Sequence, residues 1–282
     1  MTEAAAADGF AEPWLAFEKD MGERFTLHAP LEKMFEQYVG FGTTLMAKST
    51  FPTPDESVKT EDRVISDGLK VRVYTPPDYA GDKPVCLFLH GGGWAMGDLD
   101  AEDIHMRLVS KAAGIVIVAI NYRLAPMHKF PAQLDDGMTA YHWALSNTST
   151  LKTTPKKCLT FGTSAGANLA LALALRIIDE GFEDTLEGVV AVMPVTIHPD
   201  AVPAKFKSRY TSYDEHDQHT INSKSAMGAF ADAYGAAPED PYYSPLLHEK
   251  LDKLKRVYMA AAEMDTLRDD ARLFKFSLDE AG

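Results

Sequence analysis

A serine flanked by small residues stands in the segment Gly-Thr-Ser-Ala-Gly, residues 162–166. The segment lies between an apolar run that ends at Phe161 and a long apolar helical pattern that begins near Ala165. A serine on a tight strand-to-helix turn has a strained backbone, and glycines on both sides avoid the clashes that bulkier residues would make. Such a turn lifts the Ser164 hydroxyl clear of the sheet and places it at a helix N-terminus, where free amides favour developing negative charge. Ser164 is therefore predicted to be a nucleophile.

Three consecutive glycines form the second element that could take part in chemistry. The segment His-Gly-Gly-Gly-Trp, residues 90–94, directly follows an apolar run. Glycines at the end of a strand let the backbone approach a substrate and point several N–H groups at one position. We predict an oxyanion hole made by the N–H groups of Gly91, Gly92 and Ala165. His90 is expected to brace this loop by hydrogen bonding rather than to move protons.

Short apolar runs alternate with longer amphipathic patterns from residue 84 onward. Runs that are apolar at every residue are typical of strands covered on both faces in a parallel sheet. Helices are predicted over residues 131–145 and 164–178. The pattern indicates an α/β fold with a mostly parallel central sheet, whose strands are predicted over residues 85–89, 115–120, 159–161, 189–193 and 257–261.

An antiparallel pair is predicted to open this sheet. Residues 58–66 and 69–75 have the character of extended segments, and they are joined at Asp67-Gly68. An Asp-Gly pair between two such segments is a strong hairpin signal, because both residues tolerate the positive φ that tight turns require.

Two segments are predicted to form a helical cap. Apolar residues recur at three- and four-residue steps in the first fifty residues, which predicts an N-terminal helical cap segment over 1–50. Residues 197–235 are polar and show no clear strand, so they are predicted as a cap insertion over the carboxyl edge of the sheet. The remaining chain, residues 51–282 around this insertion, is predicted to be the α/β domain.

Composition restricts the function classes. The chain has 282 residues, of which 46% are hydrophobic and 24% charged, as expected for a globular protein with a substantial core. Its 28 Lys and Arg against 41 Asp and Glu give a net charge of −13, which disfavours nucleic acid and anionic lipid as partners. Cys86 and Cys158 both lie in apolar runs, so no disulfide framework or zinc site is predicted. With no signal peptide or membrane span recognised, we expect a cytoplasmic protein.

Five motifs in a fixed order resemble those of hormone-sensitive-lipase-like α/β-hydrolases. Besides the two glycine-rich segments, the chain contains Asn-Tyr-Arg-Leu-Ala-Pro at 121–126, Tyr-Ser-Pro-Leu-Leu at 243–247 and Asp-Thr-Leu-Arg-Asp at 265–269. The resemblance covers roughly residues 58–282. It implies an α/β-hydrolase fold with a helical cap, a carboxylesterase acting on short or medium acyl esters, and no metal or cofactor. Fungal relatives serve in secondary metabolism, and Ser164 and Asp265 are the implied nucleophile and triad acid.

The sequence departs from the family pattern at several positions. Thr163 stands where the family usually has Asp, and no histidine occurs in residues 266–282, although the triad histidine of this fold follows the acid. Without that imidazole Ser164 lacks a partner that takes its proton, so activity of this chain is in doubt. Either the chain is a truncated form of an ordinary esterase, or it is a protein that is naturally shorter. Such a short protein would bind its ligand without turnover or take the missing part of the site from a partner.

Three functions therefore stay open at this point. The first is a carboxylic ester hydrolase with a small-molecule ester as its substrate and a homodimer as its candidate assembly. The second is a non-catalytic small-molecule receptor, since plant gibberellin receptors resemble this family and lack the same histidine. The third is an amidase or formamidase, whose leaving group differs while its nucleophile does not.

Weaker signals concern residues near the site. Asp269 and Asp270 rival Asp265 as the triad acid, but they are expected in the following helix. Trp94, Phe41 and Tyr122 are candidates for lining a substrate pocket or for filling the core. The acidic and histidine-rich segment at 214–219 resembles a metal cluster, and a solvated loop is preferred. The segment at 97–105 is expected to be an acidic helix start.

Overall fold

A single mixed sheet organises the molecule, for which a computed structural model describes residues 9–219 and 221–282. In this part of the chain the strand order is β1-β2-β4-β3-β5-β6-β7. Strand β2 pairs antiparallel with β1 and β4, and all other neighbours are parallel. The strands are β1 (Lys59–Val64), β2 (Lys70–Thr75), β3 (Val85–Leu89), β4 (Ile117–Ile120), β5 (Cys158–Thr163), β6 (Leu186–Val192) and β7 (Val257–Ala260).

Helices cover both faces of the sheet. On one face the central helix packs against β3, β5 and β6. Its Ala-Leu repeat is apolar all round, which is why it is buried along nearly its whole length. The helices are α1 (Glu12–Met21), α2 (Leu31–Lys48), α3 (Asp103–Ala113), α4 (Ala132–Ser146), α5 (Thr148–Leu151), α6 (Ala165–Asp179, the central helix), α7 (Ser212–Glu215), α8 (Lys224–Tyr234) and α9 (Arg268–Ala281).

The predicted α/β-hydrolase fold is confirmed, including the mostly parallel sheet and the antiparallel pair at its start. Every strand except β3 differs from its predicted range by one to three residues at an end, and at two strands the cause is clear. β4 begins at Ile117 because Ile115 belongs to the turn after α3, where its N–H donates to the Ser110 carbonyl. β6 begins at Leu186, earlier than predicted, since its first residues include Glu187 and Gly188, which give no apolar signal.

The N-terminal helices and the 197–235 segment meet over the carboxyl edge of the sheet. The N–H of Leu27 donates to the Ile221 carbonyl at 2.6 Å, and the hydroxyl of Ser223 donates to the Leu27 carbonyl at 2.6 Å. Helix α8, which sequence patterning did not predict, starts at this point because the Ser223 side chain also accepts the Ala226 N–H. The division into residues 1–50 and 51–282 stays a prediction.

No helix in residues 9–219 and 221–282 has both the length and the apolar character that crossing a membrane requires.

The turn between β5 and α6 is packed so closely that one added methyl group should strongly lower the stability of the protein. A Cβ on Gly166 would overlap the backbone carbonyl oxygens of Leu89 and His90. We expect Gly166→Ala to lower the free energy of unfolding by about 3 kcal/mol, because backbone on the facing strand cannot move aside. Urea denaturation measures this. The control is Gly228→Ala in α8, where nothing lies within 4 Å of the new methyl. That variant should be stabilised by about 0.5–1 kcal/mol, and equal stability of both variants would refute the close packing.

Candidate active site

Ser164 occupies the turn between β5 and α6 with a backbone that few residues adopt. Its φ is 52° and its ψ is −120°, and its N–H donates to the Val192 carbonyl at 2.8 Å. The flanking glycines allow this turn, because a Cβ on Gly162 would overlap the Gly166 carbonyl group. The residue is half-buried and lines a cavity at the carboxyl edge of the sheet. Sequence reasoning therefore placed Ser164 correctly on a strained strand-to-helix turn.

The glycine loop after β3 faces the same cavity. Gly91, Gly92 and Ala165 all line it. Among the described residues, nothing accepts a hydrogen bond from the N–H groups of Gly92 and Ala165. The N–H of Gly91 instead donates to Oε1 of Glu102 at 2.9 Å. The sequence predicted that all three amides donate to an oxyanion. In the structure the N–H of Gly91 donates to a carboxylate instead.

His90 braces the glycine loop, as its sequence position suggested. Its Nδ1–H donates to the Gly91 carbonyl at 2.8 Å, and its ring stacks on Tyr122 with centroids 4.2 Å apart. The Tyr122 hydroxyl donates to the His90 carbonyl at 2.8 Å. Burial lowers the pKa of His90, which keeps the ring neutral. The ring is thus a structural support beneath the loop.

Asp265 reaches the cavity from the loop after β7. Its side chain is buried, and Oδ1 accepts the Leu267 N–H at 3.1 Å and the Thr266 hydroxyl at 3.2 Å. Burial raises the pKa of Asp265. Ser164 and Asp265 line one cavity, so the structure brings the two predicted residues to the same space.

No histidine among the described residues hydrogen bonds to Ser164 or Asp265. His216 is buried nearby, but its Nε2 accepts a hydrogen bond from Arg268 Nη1 at 2.7 Å, and its Nδ1 contacts His219 Nδ1 at 2.9 Å. Burial and the neighbouring Arg268 lower the pKa of His216. The expected solvated loop at 214–219 is therefore wrong for His216, which packs into the protein because Arg268 and His219 satisfy both ring nitrogens.

Asp269 and Asp270 have a structural role in α9, as expected from their position after Asp265. Asp269 accepts the N–H groups of Thr211 and Ser212 at 2.8 and 2.9 Å. Asp270 holds the chain just after β6: its Oδ1 accepts the N–H groups of Thr196 and Ile197 at 2.7 and 3.2 Å, and its Oδ2 accepts the Tyr210 hydroxyl at 2.9 Å. Burial raises the pKa of Asp270 to about 7.

The cavity has a volume of about 390 Å³ and a mainly apolar wall. The N-terminal helices and the 197–235 segment both contribute to it. Of the three aromatic candidates only Trp94 lines the cavity, where it stacks on Tyr234 with centroids 4.5 Å apart. Phe41 stacks on Phe25 instead. Sequence reasoning assigned no site role to the lining residues Trp14, Leu27, Tyr38, Met96, Glu102, Met193, Val195, Ile221, Met227, Phe230 and Leu267. Of these, only Leu267 lies in one of the five motifs.

The two cysteines are buried free thiols, and burial raises the pKa of both. In the part of the chain that the structure describes, no group of three or more His, Cys, Asp or Glu side chains is arranged to hold a metal ion.

Comparison with known sequences gives consistent matches. The sequence profile of the α/β hydrolase fold matches residues 86–282. Versiconal hemiacetal acetate esterase of Aspergillus parasiticus is 44% identical over 273 residues, which cover 96% of this chain and 85% of that protein. Versiconal hemiacetal acetate esterase stcI of Emericella nidulans is 48% identical over 237 residues, 83% of this chain and 80% of that protein.

Solved structures agree in fold. A hyperthermophilic esterase from the archaeon Pyrobaculum calidifontis matches with a TM-score of 0.77 at 28% identity, covering 95% of this chain and 84% of that chain. Vibralactone cyclase matches with a TM-score of 0.82 at 28% identity, covering 100% of this chain and 84% of that chain.

The raised pKa of Asp270 predicts how stability depends on pH. An unfolded Asp titrates near 3.8, whereas folded Asp270 titrates at about 7. Between these values the folded chain binds one more proton than the unfolded chain, so this residue makes stability fall as pH rises, by at most about 1.4 kcal/mol per pH unit. Asp270→Asn keeps the shape and removes the titration. Relative to wild type, the variant should gain stability from pH 4 to pH 7 in urea denaturation, and a constant difference across that range would refute the assignment.

Proposed function

The chain belongs to the α/β hydrolase fold family and is a hydrolase of the carboxylesterase type, and on this basis we propose that Ser164 cleaves a carboxylic ester. One observation carries the assignment of this residue. The Ser164 hydroxyl stands on a strained turn in a largely apolar cavity, which it shares with the amides of Gly92 and Ala165, from which no described residue accepts a hydrogen bond.

Ester cleavage follows from these positions in two steps. A base takes the proton of the Ser164 hydroxyl as its oxygen attacks the acyl carbon, and the carbonyl oxygen becomes an oxyanion that accepts hydrogen bonds from Gly92 and Ala165. The partial positive charge at the N-terminus of α6 stabilises the same oxyanion. The protonated base gives that proton to the alcohol as the tetrahedral intermediate collapses. Water then loses a proton to the base as it attacks the acyl-serine, and the proton returns to Ser164 when the acid leaves.

Asp265 has the position of a residue that orients a base. In serine hydrolases a carboxylate holds an imidazole in the tautomer that takes the serine proton. Oδ1 of Asp265 accepts hydrogen bonds from the Thr266 hydroxyl and the Leu267 N–H, which fix the carboxylate at the cavity. We assign Asp265 the orienting role. The base itself is a role that none of the described residues fills.

The cavity favours a neutral ester of an apolar alcohol. Its described lining includes the carboxylates Glu102 and Asp265 but no Lys, Arg or His side chain. An anionic substrate would therefore meet like charges without a compensating cation. Trp14, Tyr38 and Phe230 give apolar ring surface for the alcohol or acyl part. Since two relatives are versiconal hemiacetal acetate esterases by name, we propose an acetate or similar short acyl ester as substrate.

Two finer expectations accompany this proposal. A cytoplasmic location is supported by the two free, buried cysteines, since reducing compartments keep thiols unpaired. A homodimer is supported by β7, which is an edge strand of the described sheet and presents Tyr258 at 64% exposure. Sedimentation measures the oligomeric state directly.

A non-catalytic binder is the second candidate. The observation in its favour is that no described histidine reaches Ser164 or Asp265. Such a protein would bind an ester or a related apolar molecule in the same cavity without turnover. The rescue experiment below separates it from an esterase.

Chemical rescue tests Ser164 and Asp265 together. Adding imidazole supplies a diffusible base, so we expect it to raise the rate of nitrophenyl acetate hydrolysis by about tenfold. This is less than the roughly 100- to 10,000-fold contribution of a positioned base, because free imidazole is not held in place. The increment should vanish in Ser164→Ala and fall in Asp265→Asn, because the first lacks the nucleophile and the second the charge that holds imidazolium. Subtracting the Ser164→Ala rate removes direct hydrolysis by imidazole.

The matched control for that experiment is Ser208→Ala. Ser208 is exposed and does not line the cavity, so this variant should behave as wild type. Equal rates of wild type and Ser164→Ala at every imidazole concentration would overturn the esterase proposal. If wild type nevertheless bound the ester, that result would identify the binder.

Cavity size predicts acyl preference. Phe230 is 3% exposed, lines the cavity and packs directly on Gly93. We expect Phe230→Ala to enlarge the space beside the glycine loop and to raise the ratio of hexanoate to acetate turnover by about tenfold. The ratio of kcat/KM for nitrophenyl hexanoate and acetate measures this. Phe182→Ala, at a partly exposed phenylalanine outside the cavity, is the control, and an unchanged ratio in Phe230→Ala would contradict the assignment.

A further inference from the structure

One carboxylate oxygen connects the two loops that carry the proposed chemistry. Oε1 of Glu102 accepts the Gly91 N–H at 2.9 Å and the Thr163 hydroxyl at 2.6 Å. Gly91 precedes the proposed oxyanion donor Gly92, and Thr163 precedes Ser164. Each hydrogen-bond partner of Glu102 is therefore the sequence neighbour of a proposed site residue. The distance between those two site residues, Gly92 and Ser164, determines whether an oxyanion is held.

The two loops are also in direct contact at this point. A Cβ on Gly91 would lie 3.0 Å from the Thr163 hydroxyl oxygen and 3.3 Å from the Thr163 carbonyl oxygen. Contact alone limits how close the loops come, whereas the shared hydrogen bonds to Glu102 limit how far they separate. Hydrogen bonds to a charged acceptor are about twice as strong as neutral ones.

The segment that carries Glu102 is itself fixed. Oδ1 of Asp98 accepts the N–H groups of Asp100 and Ala101 at 2.9 and 3.0 Å, which orders the turn before α3. At the start of α3, Asp103 accepts hydrogen bonds from Tyr74 at 2.9 Å and from Arg107 at 2.7 Å. The carboxylate of Glu102 thus acts from an anchored backbone rather than from a loose loop.

The contacts argue against Glu102 as the missing base. The oxygen that faces the turn already accepts two hydrogen bonds, one of them from the residue beside Ser164. A negative charge next to the developing oxyanion would oppose it unless donors compensate that charge. Gly91 and Thr163 provide this compensation, and Gly91 is then unavailable to the oxyanion.

We propose that Glu102 is a positioning residue that sets the distance between Ser164 and the Gly92 amide by joining Gly91 to Thr163. The role in catalysis rests on the proposed function of Ser164. The joining of the two loops does not depend on it, so the two parts are measured separately.

Hydrogen exchange tests the joining without turnover. In Glu102→Ala the Gly91 amide loses its acceptor, and we expect it to exchange at least about tenfold faster than in wild type. Thr163→Val removes the other hydrogen bond at nearly constant shape and should speed exchange of the same amide by a smaller factor. Glu102→Gln retains a carbonyl oxygen that accepts both bonds and should stay close to wild type. Unchanged exchange in Glu102→Ala would overturn the proposal.

Kinetics test the catalytic part. With imidazole present, Glu102→Ala should lower kcat for nitrophenyl acetate by about 10–100-fold with KM within about twofold, because the transition state alone needs the set distance. Glu102→Gln should recover most of kcat, a rescue that a purely structural loss would not show. The double variant with Thr163→Val should lose less than the product of the single losses, since both changes break one bridge.

The matched control is Asp100→Ala, which removes an exposed carboxylate from the same turn. The Asp100 carboxylate is exposed, and Arg72 keeps its ion pairs with Asp62 and Asp103 in the variant, so the change should matter little. Thermal unfolding of each variant identifies a failure to fold. A normal kcat in Glu102→Ala would overturn the positioning role even if exchange confirmed the bridge. A wild type that shows no Ser164-dependent turnover would refute the proposed function, and exchange would still decide whether Glu102 joins the loops.

Discussion

The close packing of the β5–α6 turn against the end of β3 is the constraint on which the site depends. Ser164 can have its positive φ only because Gly162 and Gly166 leave room for the backbone of the turn and of the neighbouring strand. The same packing brings the N-terminus of α6 next to the glycine loop. The Ser164 side chain, the N-terminus of α6 and the amides of Gly92 and Ala165, from which no described residue accepts a hydrogen bond, therefore come together as a consequence of one tight backbone contact.

Negative and positive potential in the cavity come from different parts of the protein, the side chains and the backbone. The side chains that could carry charge there, Glu102 and Asp265, are both acidic, and each is engaged by hydrogen-bond donors. Positive potential comes from backbone amides and from the helix N-terminus. Fixed dipoles of this kind stabilise an oxyanion without attracting anions over a long range, which agrees with a neutral ester as substrate and with the net charge of −13.

The roof of the cavity is held by groups distant in sequence. Asp269 and Asp270 in α9 bind the backbone after β6 and before α7, so α9 and the loop that carries Asp265 are fixed to the 197–235 segment. That segment in turn pairs with Leu27. Cavity shape thus depends on a chain of hydrogen bonds that links the N-terminal segment around Leu27, the 197–235 segment and the last helix.

The local elements of this protein were determined by the sequence itself. A five-residue motif between a strand and a helix predicted the Ser164 turn, and the Asp-Gly pair predicted the hairpin, because φ/ψ preferences and apolar periodicity are properties of neighbouring residues. Only the tertiary structure decided that the N–H of Gly91 donates to Glu102. The partners of Glu102 lie 11 and 61 positions away, and no periodicity relates them. The burial of His216 and the choice of Trp94 over Phe41 in the cavity wall were likewise decided by packing between distant segments.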